Sequence, residues 1–257
     1  MDRVPAAGEI AHATETWEEP AGGGAVAAVQ LAKLAGECTL YTALGDDEHG
    51  RRSREELAEL GVRVEAATRS QPTRRAITFV DERGERTITT LGERIAAHGD
   101  DPLPWDELDE TDAVYYTAGD RAALAHARRA RVLVATAREL RTLAGSGVEL
   151  DALVGSGRDE HERYAPGSLE PPPRLVVTTA GAGGGRWTAG EGRTGSYAAA
   201  PLPGPIADAY GAGDSFAGGL TFALADGRDV EEALELAARC GAACMTGRGP
   251  YAGQLAR

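Results

Sequence analysis

The sequence predicts an α/β protein: a parallel sheet covered by helices on both faces, with a small antiparallel flap. Three observations predict it. Strand-like apolar runs alternate with helix-like segments along most of the chain. Glycine is in excess, 34 in 257 residues, against a usual share of ~7%, and it clusters beside apolar segments at 22–24, 181–185 and 211–213. One hairpin pattern, at 76–91, interrupts the alternation.

After Gly24, the residues Val26, Val29, Leu31 and Leu34 put an apolar stripe on a helix that stops at Gly36. Residues 38–44 read as a buried strand and lead into a polar loop at 45–50. A charged helix follows, with Leu57 and Leu60 facing inward and Gly61 as its stop, and 62–66 is a second strand. The hairpin comprises 76–80, a turn at 81–84 and 86–91. Further strands are expected at 113–117, 132–136, 153–154 and 175–179, with helices at 121–130 and 138–144. Phe216, Leu220 and Leu224 share one face of a helix ending at Gly227. A last helix begins with Asp229 and Glu232 at capping-box spacing and carries Leu234, Leu236, Cys240 and Met245. No repeat or linker divides the chain, so residues 1–257 form one expected domain.

Composition excludes several classes. Lys and Arg number 27 against 40 Asp and Glu, a net charge of −13, whereas phosphate-backbone binding needs clustered positive charge, so no nucleic-acid partner is expected. The most apolar stretch, 25–34, is broken by Gln30 and Lys33 and is too short and polar to span a bilayer. The first twenty residues carry several acids and no apolar core, unlike a secretion signal. A cytoplasmic protein with no membrane partner is expected. The three cysteines, Cys38, Cys240 and Cys244, have no zinc spacing, and the five histidines are scattered.

The sharpest chemistry lies at Gly211-Ala212-Gly213-Asp214. Small residues just before a helix let several N–H groups converge at the positive end of its dipole, which suits an anion. A carboxylate there can accept a proton from a hydroxyl; a plain helix cap at Asp214 is the competing reading. Asp120, after a strand end, is either a substrate contact or a helix N-cap.

These residues have company. Residues 208–219, DAYGAGDSFAGG, resemble the signature D-T-x-G-A-G-D-x-F-x-x-G, and Gly22-Gly23-Gly24-Ala25 resembles an N-terminal glycine signature. Gly45 to Gly50 is similar to a G-x-D-x-x-G loop, and Thr179 to Gly184 to a T-x-G-x-x-G turn. Residues 84–88 resemble lid strands. In this order the motifs resemble those of the ribokinase, or PfkB, family of sugar and nucleoside kinases.

The resemblance implies a three-layer α/β/α sandwich with a small antiparallel β lid, formed by about 4–20 and 76–91 over a core of about 21–75 and 92–257. It implies transfer of the γ-phosphoryl group of ATP, with Mg²⁺ and a possible monovalent cation, to a hydroxyl of a sugar, nucleoside or similar polyol. Asp214 would be the base, with Gly211, Ala212 and Gly213 the anion hole. Thr179, Gly181 and Gly184 would approach the nucleotide, a plain β-turn being the competing reading of the two glycines. Gly22, Gly23 and Asp120 would meet substrate. Ser156, Asp159 and Asp208 would handle metal, Ser156-Gly157-Arg158-Asp159 standing where an N-x-x-E motif is expected. Lid pairing implies a possible homodimer. Three departures accompany the match: Val26 stands where Asn is usual, Tyr210 where Thr is usual, and the usual first core strand has no counterpart before Asp2. They support an alternative, a catalytically impaired ribokinase-like sugar or nucleotide sensor. A Rossmann dehydrogenase ranks third, because the glycines at 22–24 lack a full G-x-G-x-x-G.

Overall fold

The computed structural model describes residues 4–81 and 86–257, apart from the side chain of Glu191. Residues 4–20 carry no helix or strand. The first helix, α1 (Gly23–Ala35), buries Val26, Val29 and Leu34 and ends where Gly36, at φ 90°, turns its N–H onto the Ala32 carbonyl. Left-handed geometry of this kind is nearly free for glycine and costly for other residues.

A parallel crossover follows: β1 (Cys38–Gly45), α2 (Glu48–Glu59) and β2 (Val62–Arg69), with Cys38 opposite Val62. Of the segment expected as a loop at 45–50, Gly45 ends β1 and the last three residues open α2, leaving 46–47 as the connection. Asp47 caps α2, accepting the Gly50 N–H at 2.8 Å, so polar character there marks a helix N-terminus. Next, β3 (Arg75–Val80) and β4 (Arg86–Leu91) pair antiparallel as a sheet of their own, with β4 exposed throughout. Of the turn read at 81–84, residues 82–84 lie outside the described residues.

The main sheet has six strands in the order β10-β9-β8-β7-β6-β5. Its parallel part is β5 (Ala113–Tyr116), β6 (Val132–Thr136), β7 (Ala152–Ser156) and β8 (Leu175–Thr179), connected in part by α3 (Arg121–Ala127) and α4 (Leu140–Leu143). Two antiparallel strands, β9 (Gly185–Ala189) and β10 (Thr194–Tyr197), complete it. The sheet is therefore mixed. Sequence patterning missed its last two strands because each is short and glycine-containing, with Trp187 its main apolar anchor.

Strand alternation builds the layers. Val132, Val134, Val154 and Val177 pack beneath α5 (Ala212–Ala225) and α6 (Val230–Cys244), while Leu133, Ala135 and Leu153 meet Leu124 and Leu143 of α3 and α4 on the other face. The result is a three-layer α/β/α sandwich. Helix α5 lies close against α6, for a β-carbon at Gly219 would stand 2.7 Å from the Cys240 sulfur. Burial pushes the thiols of Cys240 and Cys244 up, to about 12 and about 11, which leaves them protonated at neutral pH. No described helix is long and apolar enough to cross a membrane. The β1–β2 pair and the six-stranded sheet share no hydrogen-bond ladder among the described residues.

Candidate active site

Strands β5 to β8 run parallel, so their C-terminal ends share one edge of the sheet, where α/β folds gather ligands. Helix α5 packs on β5 and β6 and starts at that edge. Its N-cap is Gly211, at φ 83°, with no side-chain capping bond. A β-carbon at Gly211 would come within 2.8 Å of Pro250 Cβ and 2.9 Å of Val26 Cγ1, so this glycine is required by both conformation and space. The N–H groups of Ala212, Gly213 and Asp214, in the first turn, have no partner within the helix. Gly213 has open space beside it.

Asp214 occupies the third helical position and does not cap the helix, which removes the competing structural reading of that carboxylate. Its side chain is 18% exposed. Burial raises its pKa above the usual carboxylate value, opposed by the positive charges of Arg138 and Arg86 and assisted by Glu162. The Nη1 of Arg138 stands 3.6 Å from Asp214 Oδ1. Arg138 Nε in turn donates to Glu162 Oε1 at 2.7 Å, and Glu162 Oε2 accepts the Ser156 N–H at 2.7 Å. A chain of contacts thus joins the helix terminus to the ends of β6 and β7.

Gly23 abuts Asp214 directly: a β-carbon at Gly23 would lie 2.6 Å from Asp214 Oδ1. Gly22, at φ 99°, donates its N–H to the Tyr210 hydroxyl at 3.1 Å. Both glycines line an open cleft of ≈ 2020 Å³ that also touches Leu40, Thr117, Tyr210 and Ile77. The hairpin is tied to this region by Arg86, whose Nη1 donates to the Ala209 carbonyl at 2.6 Å and whose guanidinium lies over the Tyr210 ring. Asp120 is placed otherwise. Its Oδ1 accepts from Ala123 N–H at 2.8 Å and Gly99 N–H at 3.0 Å, an N-cap on α3.

The profile of the pfkB family of carbohydrate kinases matches residues 1–131 and 119–256. The chain belongs to that family. No curated protein sequence matches it. Solved structures with the same fold include a ribokinase from Thermotoga maritima, 22% identical over 100% of this chain and 91% of that one, at a TM-score of 0.78. An adenosine kinase from Sinorhizobium meliloti is 21% identical over 90% of this chain and 79% of its own, at 0.73. A ribokinase from Arabidopsis thaliana, complexed with ribose and ATP, is 19% identical over 97% and 89%, at 0.71.

In this pfkB-family chain the residues expected at a nucleotide sit at the end of β8. Thr179 Oγ1 donates to the Gly155 carbonyl at 3.4 Å, and Ala180 N–H to the Gly184 carbonyl at 2.7 Å. Gly181 and Gly184 have φ of 61° and 75°, and a β-carbon at Gly184 would collide with the Tyr197 carbonyl. The turn between β8 and β9 therefore already demands these glycines.

The residues expected at a metal each accept a nearby backbone amide. Ser156 Oγ accepts the Arg158 N–H at 3.2 Å, Asp159 Oδ1 accepts the His161 N–H at 2.9 Å, and buried Asp208 accepts the Tyr210 N–H at 2.8 Å. Among the described residues, one group of three side chains has metal-binding proximity, His98, Asp100 and Asp120, and Asp120 there already serves two backbone amides. Sequence reasoning missed Arg138, Glu139 and Glu162. The 6%-exposed Glu139 accepts from Arg94 at 2.6 Å and from Thr142 at 3.1 Å. The available signal was position: Arg138 and Glu139 are charges placed directly after the fully buried strand β6.

Proposed function

We propose that the chain moves the γ-phosphoryl group of ATP to a hydroxyl of a sugar, nucleoside or similar small polyol, with Asp214 as base. The observation that carries this reading is a carboxylate in the first turn of α5, beside open amides, that is not spent on capping. In the reaction the acceptor O–H proton passes to Asp214, and the acceptor oxygen bonds to the γ-phosphorus. The bond from that phosphorus to the β,γ-bridging oxygen breaks, its electron pair leaving with ADP. Charge spread over the γ-phosphoryl oxygens meets the amides of Ala212, Gly213 and Asp214 at the positive end of the helix. A carboxylate whose pKa burial raises is the better proton acceptor when ionised.

The acceptor belongs in the cleft beside Gly22 and Gly23, with β3–β4, and the 4–20 segment beside it, as lid. The nucleotide belongs along Thr179, Gly181 and Gly184 at the end of β8. Magnesium, being reluctant to lose its water, commonly rides on the nucleotide's own phosphates, and no step here passes through it. The deciding experiment is ADP release from ATP and Mg²⁺ across a panel of sugars and nucleosides. Turnover on one acceptor class supports the kinase. ATP binding without turnover supports the sensor instead, a reading favoured by Val26, which is wholly buried and offers no hydrogen bond to a sugar.

A further inference from the structure

We propose that Arg138 binds the transferring phosphoryl group, and that its contact with Asp214 is a resting position it leaves when nucleotide arrives. The inference rests on the phosphotransferase reading above.

The two contacts of this side chain are unequal. Nε is held by a 2.7 Å hydrogen bond to Glu162, a carboxylate only 6% exposed whose other oxygen is fixed by the Ser156 N–H. Nη1 approaches Asp214 at 3.6 Å, too far for a hydrogen bond, so that attraction is between charges alone. The Arg138 side chain is 56% exposed, whereas Asp214 is 18% exposed. One end is thus anchored and the other is free to move. Among the described residues no acceptor pairs with the Nη hydrogens at hydrogen-bond distance, leaving a planar fork open to an incoming anion.

Place and charge fit the same role. Arg138 lies in the turn after β6, and its guanidinium reaches the first turn of α5. A phosphoryl oxygen settled on the amides of 212–214 falls within the sweep of that fork. Without the cation, an ATP phosphate chain would enter beside two carboxylates, Asp214 and Glu162, and be repelled. With it, the fork neutralises the γ oxygens and Asp214 is released to face the acceptor hydroxyl. Arg138 forms and breaks no covalent bond in this step.

The test compares ATP, a non-hydrolysable ATP analogue and ADP on wild type, Arg138→Ala and Arg138→Lys. In Arg138→Ala, affinity for the analogue should fall ~10–100-fold, the loss expected of a charge-assisted bond. Affinity for ADP, which lacks the γ-phosphate, should hold, and kcat should fall on the order of 10³-fold. Because truncation leaves Glu162 without its cation, Arg138→Lys serves as the second variant: it keeps the charge, loses the fork, and should recover part of the analogue binding. Equal losses for analogue and ADP, or an unchanged kcat, overturn the inference while leaving the kinase reading intact. A wild-type chain that binds no ATP overturns both.

Discussion

At the residue scale, Asp214 carries two linked expectations. Asp214→Asn removes the proton acceptor, and kcat should fall ~10²–10⁴-fold. Because burial raises the folded-state pKa of this group, its ionised form is less welcome in the folded chain than in the unfolded one. The stabilising contribution is full below the unfolded value and is lost as pH rises through the folded one. At neutral pH the Asn variant should therefore melt no lower than wild type. Activity runs the opposite way: the acidic limb of kcat/KM should lie above the ordinary aspartate value of about 3.9, since the protonated acid cannot accept the hydroxyl proton. A variant that loses stability yet keeps its turnover would sink the assignment. Gly23→Ala probes the same carboxylate from the other side. Alanine is the better helix former by ~1 kcal/mol, so melting should hold or rise. Its methyl would press on Asp214 Oδ1, however, and displacing a reacting group by about 1 Å costs on the order of 10²-fold in rate.

The residues around Asp214 show what was legible before folding. Gly211 to Asp214 form one contiguous run, so helix start, open amides and carboxylate can be read together from the chain. Arg138 meets Asp214 only because β6 ends beside α5, and Glu162 joins them by holding Arg138; no local pattern announces that. Ser156 and Asp159 stand where the resemblance expects a metal-handling pair, and in the fold each also accepts an amide of its own turn. Spacing reports reach along the chain. It does not report what a polar atom is already bonded to.

At the element scale, the antiparallel hairpin was readable from β-branched alternation, and it stands apart from the main sheet. Strands β9 and β10 were not, because short glycine-bearing strands carry too few apolar positions to show a period. The hairpin's tie to the site is Arg86, which bonds the Ala209 carbonyl and covers Tyr210. Arg86→Ala should loosen that tie. KM for the acceptor should rise by about tenfold, the loss of one charged hydrogen bond, while the melting temperature barely moves because the substitution touches the surface. Amide exchange in β3–β4 should quicken in the same variant. Unchanged exchange and unchanged KM would show that the hairpin has no part in holding acceptor.

At the scale of the whole molecule, the layer order follows from alternation within the central strands, which send Val134 to one face and Leu133 to the other. That pattern survives at about one-fifth identity to solved structures of the same fold, because burial tolerates exchange among apolar side chains of similar volume. Helix α1 is bound into this assembly by the end of the chain. Gln254 donates to the Val26 carbonyl at 2.8 Å, Gln30 to the Leu255 carbonyl at 2.7 Å, and Lys33 to the Tyr251 carbonyl at 2.5 Å. The C-terminal residues are a strap across the helix that supports Gly23.

The break between β1–β2 and the six-stranded sheet gives the molecule two levels of cooperativity. Inside the large sheet, each strand from β6 to β9 is bonded on both sides, so opening one disturbs two ladders. The β1–α2–β2 unit shares no strand ladder with that sheet and reaches the rest through side chains, those packed under α1 and a few polar ties such as Arg69 to Asp101 and Tyr41 to the Pro104 carbonyl. Contacts of that kind can be given up locally without unzipping the sheet, which is how subglobal opening units arise. Native-state hydrogen exchange should therefore resolve the β1 and β2 amides as a set that opens at lower free energy than those of β6, β7 and β8. A single shared opening energy would contradict this. If the two sets separate, the wall of the cleft nearest Leu40 yields while the edge that carries Arg138 and Asp214 holds its shape, and acceptors of different size could be accommodated without disturbing the groups that move the phosphate.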